Sequence, residues 1–145
     1  MAAGYSGTPL PKKLGIKESS RLALIDAPAG FDQTLGLQPT ADGPPFPEDV
    51  VVTRSARGAQ DVIVLFVTER HRFEEMVPNL ERLIFPAGGL WIAWPKKASK
   101  VDTDMNEDVV REVALPRGLV DNKVCAIDET WSGLRVVWRK ELRKP

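Results

Sequence analysis

The segment that most constrains the fold is Asp61–Val67, with the sequence DVIVLFV. After Asp61 every residue in it is apolar, and apolar and polar positions do not alternate. A strand with one face in water would alternate, so this run predicts a central strand of a parallel sheet that is covered on both faces. A sheet covered in this way belongs to an α/β domain.

Strands and helices alternate on either side of this strand. Apolar strands are predicted at Arg21–Asp26, Val50–Thr53 and Leu90–Trp94, and apolar residues at helical spacing predict a helix over Glu69–Ile84. Pro78 is expected to kink or split that helix. The alternation predicts parallel pairing with right-handed crossovers, as in a Rossmann-like sheet flanked by helices.

The direction of the strand at 50–53 stays open at this stage. Only seven residues, 54 to 60, separate it from the strand that starts at Asp61. A parallel crossover normally needs a dozen residues or more. The pattern therefore predicts a short edge strand of either direction.

Two short sequence signals predict the starts of further helices. Thr8 followed by Pro9 predicts an N-cap and a first helical turn, with Gly15 as the stop signal. Asp104 with Glu107 three residues later resembles a capping box at the start of another helix.

The chain is expected to end in a β-hairpin and a short tail. Strands at Val124–Glu129 and Leu134–Arg139 are joined by the turn Thr130–Gly133. The predicted organisation is an N-terminal arm with a short helix over 1–20, a Rossmann-like domain over 21–139 and a basic tail over 140–145. Within it, residues 1–7 are expected to be disordered and the proline-rich residues 36–48 to form a loop.

The composition of the chain indicates which cellular environment and which classes of partner to expect. The 145 residues suit one domain, and Lys+Arg and Asp+Glu both number 20, so nucleic acid is not the expected partner. One cysteine, Cys125, fits a reducing compartment. No apolar run is long enough for a signal peptide or a membrane span, so a cytoplasmic protein without membrane contact is expected.

The second half of the chain carries a family resemblance. DVIVLFV, a helix, FPAGG leading into LWIAW, a further helix and a final hairpin resemble the C-terminal half of the class I S-adenosylmethionine-dependent methyltransferase fold. In that family a Pro-Gly-Gly turn commonly precedes the fifth strand, and Pro86–Gly89 is similar to it. Almost the whole chain, through TPLPKKLGIK, AWPKKAS and VDNKVCAIDETWSGLR, also resembles a small bacterial family of unknown function.

The residues that bind the cofactor in that family have no match here. The turn Asp26–Gly30 holds one glycine and a proline where the family has a glycine-rich turn. Thr53–Ser55 lacks the acid that holds the ribose hydroxyls, and Thr68–Arg70 replaces an Asn/Asp-Pro-Pro-aromatic motif. The resemblance therefore implies a methyltransferase-like fold without its cofactor motif, and no cofactor is predicted.

Ligands of open parallel sheets bind outside the carboxyl ends of the strands, which selects one rim of the predicted sheet. The candidate ligand-binding residues at that rim are Asp26, Gly30, Arg70, His71, Lys96, Lys97, Ser99, Glu129, Trp131 and Ser132. The two lysines suit an anion, and Arg70 with His71 suits phosphate binding or proton transfer. Asp26 suits a ligand hydroxyl or a turn cap, and Trp131 suits stacking on a ligand or packing of the hairpin.

The same residues leave three functions open. The absence of a P-loop, a zinc-ligand spacing, a nucleophile elbow and a dinucleotide fingerprint favours a non-catalytic module that binds a small anionic ligand or a protein partner. The rim cations support the alternative of an enzyme that acts on a small anionic metabolite. A residual methyltransferase is the third interpretation. No metal site is predicted, because His71 is the only histidine.

Overall fold

The computed structural model describes residues 8–37 and 45–144, so the predicted disorder of residues 1–7 and most of the predicted proline-rich loop lie outside the described residues. One six-stranded sheet carries the architecture. Its strands are β1 Arg21–Ile25, β2 Val51–Thr53, β3 Val62–Phe66, β4 Gly89–Pro95, β5 Leu119–Ala126 and β6 Trp131–Trp138. The α-helices are α1 Leu10–Lys13, α2 Phe31–Leu35, α3 Arg70–Ile84 and α4 Glu107–Ala114. None of the described helices is long and apolar enough to cross a membrane.

The strands are arranged in the order β2-β1-β3-β4-β6-β5. The first four are parallel, and β6 runs antiparallel to both β4 and β5. Within residues 8–37 and 45–144, the parallel part corresponds to the 2-1-4-5 segment of the Rossmann order 3-2-1-4-5-6. The predicted α/β class, a mostly parallel Rossmann-like sheet that ends in a hairpin, is confirmed.

The edge strand β2 is parallel to β1, with Arg21 opposite Val51, which settles the direction that the sequence leaves open. The short connection to β3 is possible because β2 is only three residues long. The eight residues 54–61 reach at most about 28 Å when extended, enough to return along a strand of about 10 Å and cross two strand spacings. Asn79 and Leu83 of α3 hold this segment through hydrogen bonds at Ala56 and Gln60.

Two apolar clusters, one on each face of the sheet, form the core. In β3 the side chains of Ile63 and Leu65 belong to the cluster under α3 and α4, whereas Val64 and Phe66 belong to the cluster under α1 and α2. All five residues of β3 are buried. The unbroken apolar run DVIVLFV therefore reflects a strand with no face in water, as predicted.

Helix α3 runs without interruption through Pro78, so of the two expected effects of the proline, a kink or a split, the split is wrong. The proline removes one helical hydrogen bond. Val77 on one side of it, and Leu80 and Ile84 on the other, are buried against the sheet. Packing of both halves on one surface keeps the helix in a single piece.

The predicted capping box at Asp104 is also wrong. Helix α4 begins three residues later, and its N-cap is Asn106, whose side chain accepts a hydrogen bond from the backbone N–H of Val109 at 2.9 Å. The Asp104 carboxylate accepts instead from the backbone N–H of Arg70, at 2.7 Å. Asp104 thus caps α3, which lies earlier in the chain, and not α4, which follows it directly.

At the first helix the cap residue is Pro9, without a side-chain cap, so the predicted role of Thr8 is wrong. Gly15 follows the helix with φ of 81°, which agrees with the predicted stop. Towards the other end of the chain, the hairpin turn covers 127–130 rather than Thr130–Gly133. The carboxylate of Asp128 fixes this turn by accepting from the backbone N–H groups of Thr130 and Trp131, both at 2.8 Å.

Candidate functional site

The topological switch point lies between β1 and β3. From β1 the chain moves outward to β2, and from β3 it moves to β4 on the other side. In open α/β sheets the crevice outside the carboxyl ends of the strands at this point is the usual ligand site. Here its walls are the turn Asp26–Gly30 after β1 and the start of α3 after β3.

An ion pair bridges this crevice. The Arg72 Nη2 and Nε atoms donate to the Oδ2 atom of Asp26 at 2.7 and 3.3 Å. Asp26 has φ of 57°, a left-handed conformation that aspartate adopts more readily than most residues. Its carboxylate is held by a cation of the chain and does not cap the following turn. Arg72 was not among the predicted site residues, because nothing local to α3 marks it as the partner of Asp26.

A second ion pair stands beside the crevice. The guanidinium of Arg54, just after β2, donates two hydrogen bonds to the carboxylate of Asp32 in α2, at 2.9 and 2.8 Å. This interaction lowers the pKa of Asp32. The pair stands at the end of β2, where the methyltransferase resemblance leads one to expect a free acid for ribose hydroxyls. Asp32 of α2 places a carboxylate at the end of β2. A comparison of residues 53–55 alone does not reveal this carboxylate, because it comes from another element.

A cleft of about 500 Å³ opens next to this pair, and its lining residues are Ala27, Pro28, Ala29, Gly30, Asp32, Gln33 and Arg54. Gly30 has φ of 87°, and a Cβ atom there would meet nothing within 4 Å. Glycine is therefore required by the backbone conformation and not by a close neighbour. Pro28 lacks a backbone N–H, so this turn offers fewer donors than a glycine-rich turn.

The predicted phosphate or proton-transfer pair, Arg70 and His71, is bound to carboxylates. Arg70 donates to Glu112 at 2.7 Å and to Glu74 at 3.3 Å. The His71 Nε2 atom lies 2.7 Å from a carboxylate oxygen of Glu75, and the imidazole is largely exposed. Since Asp104 caps the same helix end, the structure surrounds this end of α3 with acids.

Lys96 and Lys97 point to different surroundings. The Nζ atom of Lys96 donates to the backbone carbonyl of Asp128 at 2.7 Å, which ties β4 to the hairpin turn. Lys97 is exposed and begins a short 3₁₀ turn that ends at Ser99, whose hydroxyl donates to the Lys96 carbonyl at 2.6 Å. Lys97 also lines a cleft of about 370 Å³ together with Trp94. The structure therefore does not bring the two lysines together on one anion.

The hairpin residues of the predicted site serve packing and sheet formation. Trp131 is half-buried, and its ring meets that of Phe66 edge to face at a centroid distance of 5.1 Å. Ser132 lies inside β6, opposite Trp94, rather than in a turn. Glu129 is exposed in the turn. Trp131 therefore packs on the core through Phe66, and its role in ligand binding stays a prediction.

The remaining reactive groups show no catalytic arrangement among the described residues. Cys125 is half-buried, and burial raises the pKa of its thiol, so the thiol is protonated at neutral pH. Away from the rim, the exposed carboxylates of Glu18, Glu48 and Asp49 place ligand atoms within 4.8 Å of one another. Exposed acidic groups of this kind are common without an ion.

Comparison with known proteins places this geometry in a fold family. No family model matches the chain, and no curated protein matches it significantly. Among solved structures, a putative type 11 methyltransferase from Sulfolobus solfataricus has a TM-score of 0.57 at 12% identity, covering 94% of this chain and 93% of that one. Ribosomal protein L11 methylase from Lactobacillus delbrueckii has a TM-score of 0.57 at 10% identity, covering 90% and 75%.

Magnesium protoporphyrin IX methyltransferase from Synechocystis, with bound SAM, has a TM-score of 0.55 at 12% identity, covering 90% of this chain and 74% of that chain. At these identities the likeness establishes the fold and not the activity. The parallel strands, the crevice at the switch point and the terminal hairpin agree with it. The chain has the Rossmann-like fold of class I S-adenosylmethionine-dependent methyltransferases.

Proposed function

We propose that this chain is a cytoplasmic, non-catalytic binding module built on a methyltransferase-like fold, whose partner is a small anionic ligand or another protein. The observation that carries the proposal is the lack of free cofactor-binding groups at the crevice, where the turn Ala27–Gly30 has one glycine and a proline and the charged groups pair with one another. Asp26 with Arg72, and Asp32 with Arg54, satisfy one another where a cofactor would need free groups.

The ion pairs and the turn after β1 oppose cofactor binding to different extents. An exposed ion pair contributes about 1 kcal/mol or less, so opening the Asp32–Arg54 pair would weaken a ligand by less than about tenfold. The turn Ala27–Gly30 is the larger obstacle, because Pro28 has no N–H to donate and three residues with side chains stand where the family has glycines. Cofactor binding would have to overcome both.

Isothermal titration of the full chain with S-adenosylmethionine and S-adenosylhomocysteine tests this proposal. We expect no heat of binding for wild type, for Arg54→Ala or for the matched control Arg57→Ala, an exposed arginine three residues away. A dissociation constant of about 10 µM or tighter for wild type would contradict the proposal.

A residual methyltransferase is the second candidate, and one observation favours it. The open cleft of about 500 Å³ lies where the fold binds ligands, and its volume is within the usual range for small-molecule sites. Asp32 adds a carboxylate at the end of β2. This candidate predicts that Arg54→Ala, which releases Asp32, binds S-adenosylhomocysteine more tightly than wild type whereas Arg57→Ala does not.

A further inference from the structure

A second cleft lies at the opposite edge of the sheet, at the amino ends of β1, β3 and β4. It measures about 520 Å³, and it is bounded by the segment after α1 and by the hairpin strands β5 and β6. We call it the amino-edge cleft; its charged lining residues are Lys13, Lys17, Glu18, Asp61, Lys123 and Arg135.

The acids of this cleft do not balance its cations. The Asp61 carboxylate accepts from the backbone N–H of Arg21 at 2.8 Å and from its guanidinium at 3.3 and 3.2 Å. This interaction lowers the pKa of Asp61, so the carboxylate stays ionised and its charge is matched by Arg21. Glu18 is the remaining acid in the lining, and its carboxylate lies within 4.8 Å of those of Glu48 and Asp49. The two cations on the hairpin side of the cleft, Lys123 and Arg135, have no ion pair with any described residue.

Arg135 is the central group of the cleft. It is half-buried in β6, and its guanidinium occupies the space over Gly89, where a Cβ atom would clash with the Nε atom and lie 2.6 Å from Nη2. The Arg135 guanidinium has no hydrogen bond or ion pair with any described residue. By contrast, the guanidinium of Arg111 binds Glu107 and Asp121. Burial and the nearby Arg143 lower the pKa of Arg135, as expected for a cation without a counter-charge.

A second cation is fixed beside this one. Lys123 of β5 lies directly opposite Arg135 of β6 in the antiparallel ladder, so both side chains leave the same face of the sheet. Like charges in this relation are destabilising. The Lys123 Nζ atom donates to the backbone carbonyl of Lys13 at 2.9 Å, which holds the ammonium at the cleft and leaves its other hydrogens available.

We infer that the amino-edge cleft binds the phosphate group of a small molecule, with Arg135, Lys123 and Lys17 as its donors. The planar guanidinium fork matches two phosphate oxygens, and the lysines add point charges beside it. A dianionic phosphate relieves the repulsion between Lys123 and Arg135. The cleft is larger than a phosphate ion and accommodates an attached organic group. This inference does not depend on the proposed function, because the cleft is at the other edge of the sheet.

Isothermal titration with pyrophosphate and with inorganic phosphate, at low ionic strength, tests the inference on the full chain. Wild type is expected to bind pyrophosphate. Lys123→Gln is expected to bind it about tenfold more weakly, the loss of one charge-assisted hydrogen bond, and Arg135→Gln more weakly still, because the guanidinium fork donates two. The matched control is Lys12→Gln, an exposed lysine of α1 that does not line the cleft, and its affinity is expected to stay within twofold of wild type.

Absence of binding to wild type, or equal weakening in Lys12→Gln and Lys123→Gln, would overturn the inference. Citrate bound as tightly as pyrophosphate would overturn its assignment to phosphate. If Arg135→Gln does not fold, as judged by circular dichroism, the exposed Lys17→Gln and Lys123→Gln decide: unchanged affinity in both refutes the site. Binding of S-adenosylmethionine that is insensitive to Lys123→Gln would count against the proposed function alone.

Discussion

The carboxylate of Asp104 caps the helix that begins at Arg70, a residue 34 positions earlier in the chain. Glu69, the residue at the cap position of α3, provides no side-chain hydrogen bond there. One free N–H at the start of the longest described helix is thus satisfied from the segment between β4 and α4. The contact adds a polar link between α3 and the segment before α4 to the apolar cluster that both helices cover.

Removal of this cap should destabilise the protein measurably. Asp104→Ala is expected to lower the free energy of unfolding by about 1 kcal/mol, the usual cost of losing a cap, and Asp104→Asn by less because its amide oxygen still accepts. Urea denaturation followed by circular dichroism measures the difference. Asp102→Ala is the control, since Asp102 is exposed in the same segment. Equal effects at 102 and 104 would show that the hydrogen bond contributes nothing.

The pairing of Asp61 with Arg21 predicts a specific acid dependence of stability. Because the folded-state pKa of Asp61 lies below its unfolded value of about 3.9, its contribution is present above that pH and is lost as the pH falls through the folded-state pKa. Asp61→Asn should therefore have a lower Tm than wild type at pH 7.

Thermal melts from about pH 2 to pH 7 check this dependence. The two Tm curves should converge at the acid end of the range, where the wild-type carboxylate is protonated. Arg54 also lowers the pKa of Asp32, so Asp32 contributes to the decrease of Tm at acid pH in both proteins. The difference between the two Tm curves therefore reports Asp61 alone. A constant gap across the whole range would contradict the assignment.

Trp91 is expected to be among the least replaceable residues. It is fully buried, and its indole N–H donates to the backbone carbonyl of Leu14 at 2.9 Å. Trp91→Phe leaves that carbonyl without its donor and opens a small cavity, so we expect a loss of about 2 kcal/mol. Trp138, half-buried with its N–H on the Glu81 carbonyl at 2.8 Å, is the matched comparison. Trp138→Phe should cost less in the same urea titration.

The two glycines of the FPAGG segment should respond differently to alanine. At Gly88 a Cβ atom would lie 2.6 Å from the backbone oxygen of Gln60, so main chain must move and a loss of about 1–3 kcal/mol is expected. At Gly89 the obstructing atoms belong to the Arg135 side chain, which can swing into the cleft. Gly89→Ala should therefore have a free energy of unfolding closer to that of wild type than Gly88→Ala has. It should nevertheless bind pyrophosphate more weakly than wild type. Paired urea and calorimetric titrations separate the two effects.

Local patterns predicted the elements well because burial dictates them. The apolar runs of β1, β3 and β4, the apolar stripe of α3 and the final hairpin follow from periodicity that the sheet confirms. The wrong predictions occur where two residues suit the same role. Asp104 and Asn106 both suit an N-cap, and only the position of α3 decides that Asp104 serves another helix.

The crevice was harder to predict because its partners are distant in sequence. Asp26 and Arg72 are 46 positions apart, and Asp32 and Arg54 are 22 apart. The sequence near either arginine does not indicate which carboxylate it pairs with. Arg135 is a single cation in an otherwise uncharged strand, and only the placement of β5, β6 and the segment after α1 around it gives it a cleft.

The hydrogen bond from Trp91 to Leu14 has a consequence for the order in which the chain assembles. It closes a loop of 77 residues, at a cost of roughly 4 kcal/mol in chain entropy. During synthesis on the ribosome, the segment around Leu14 emerges long before β4 exists to receive it. Helix α1 therefore gains this hydrogen bond only after β4, an interior strand of the sheet, has been made.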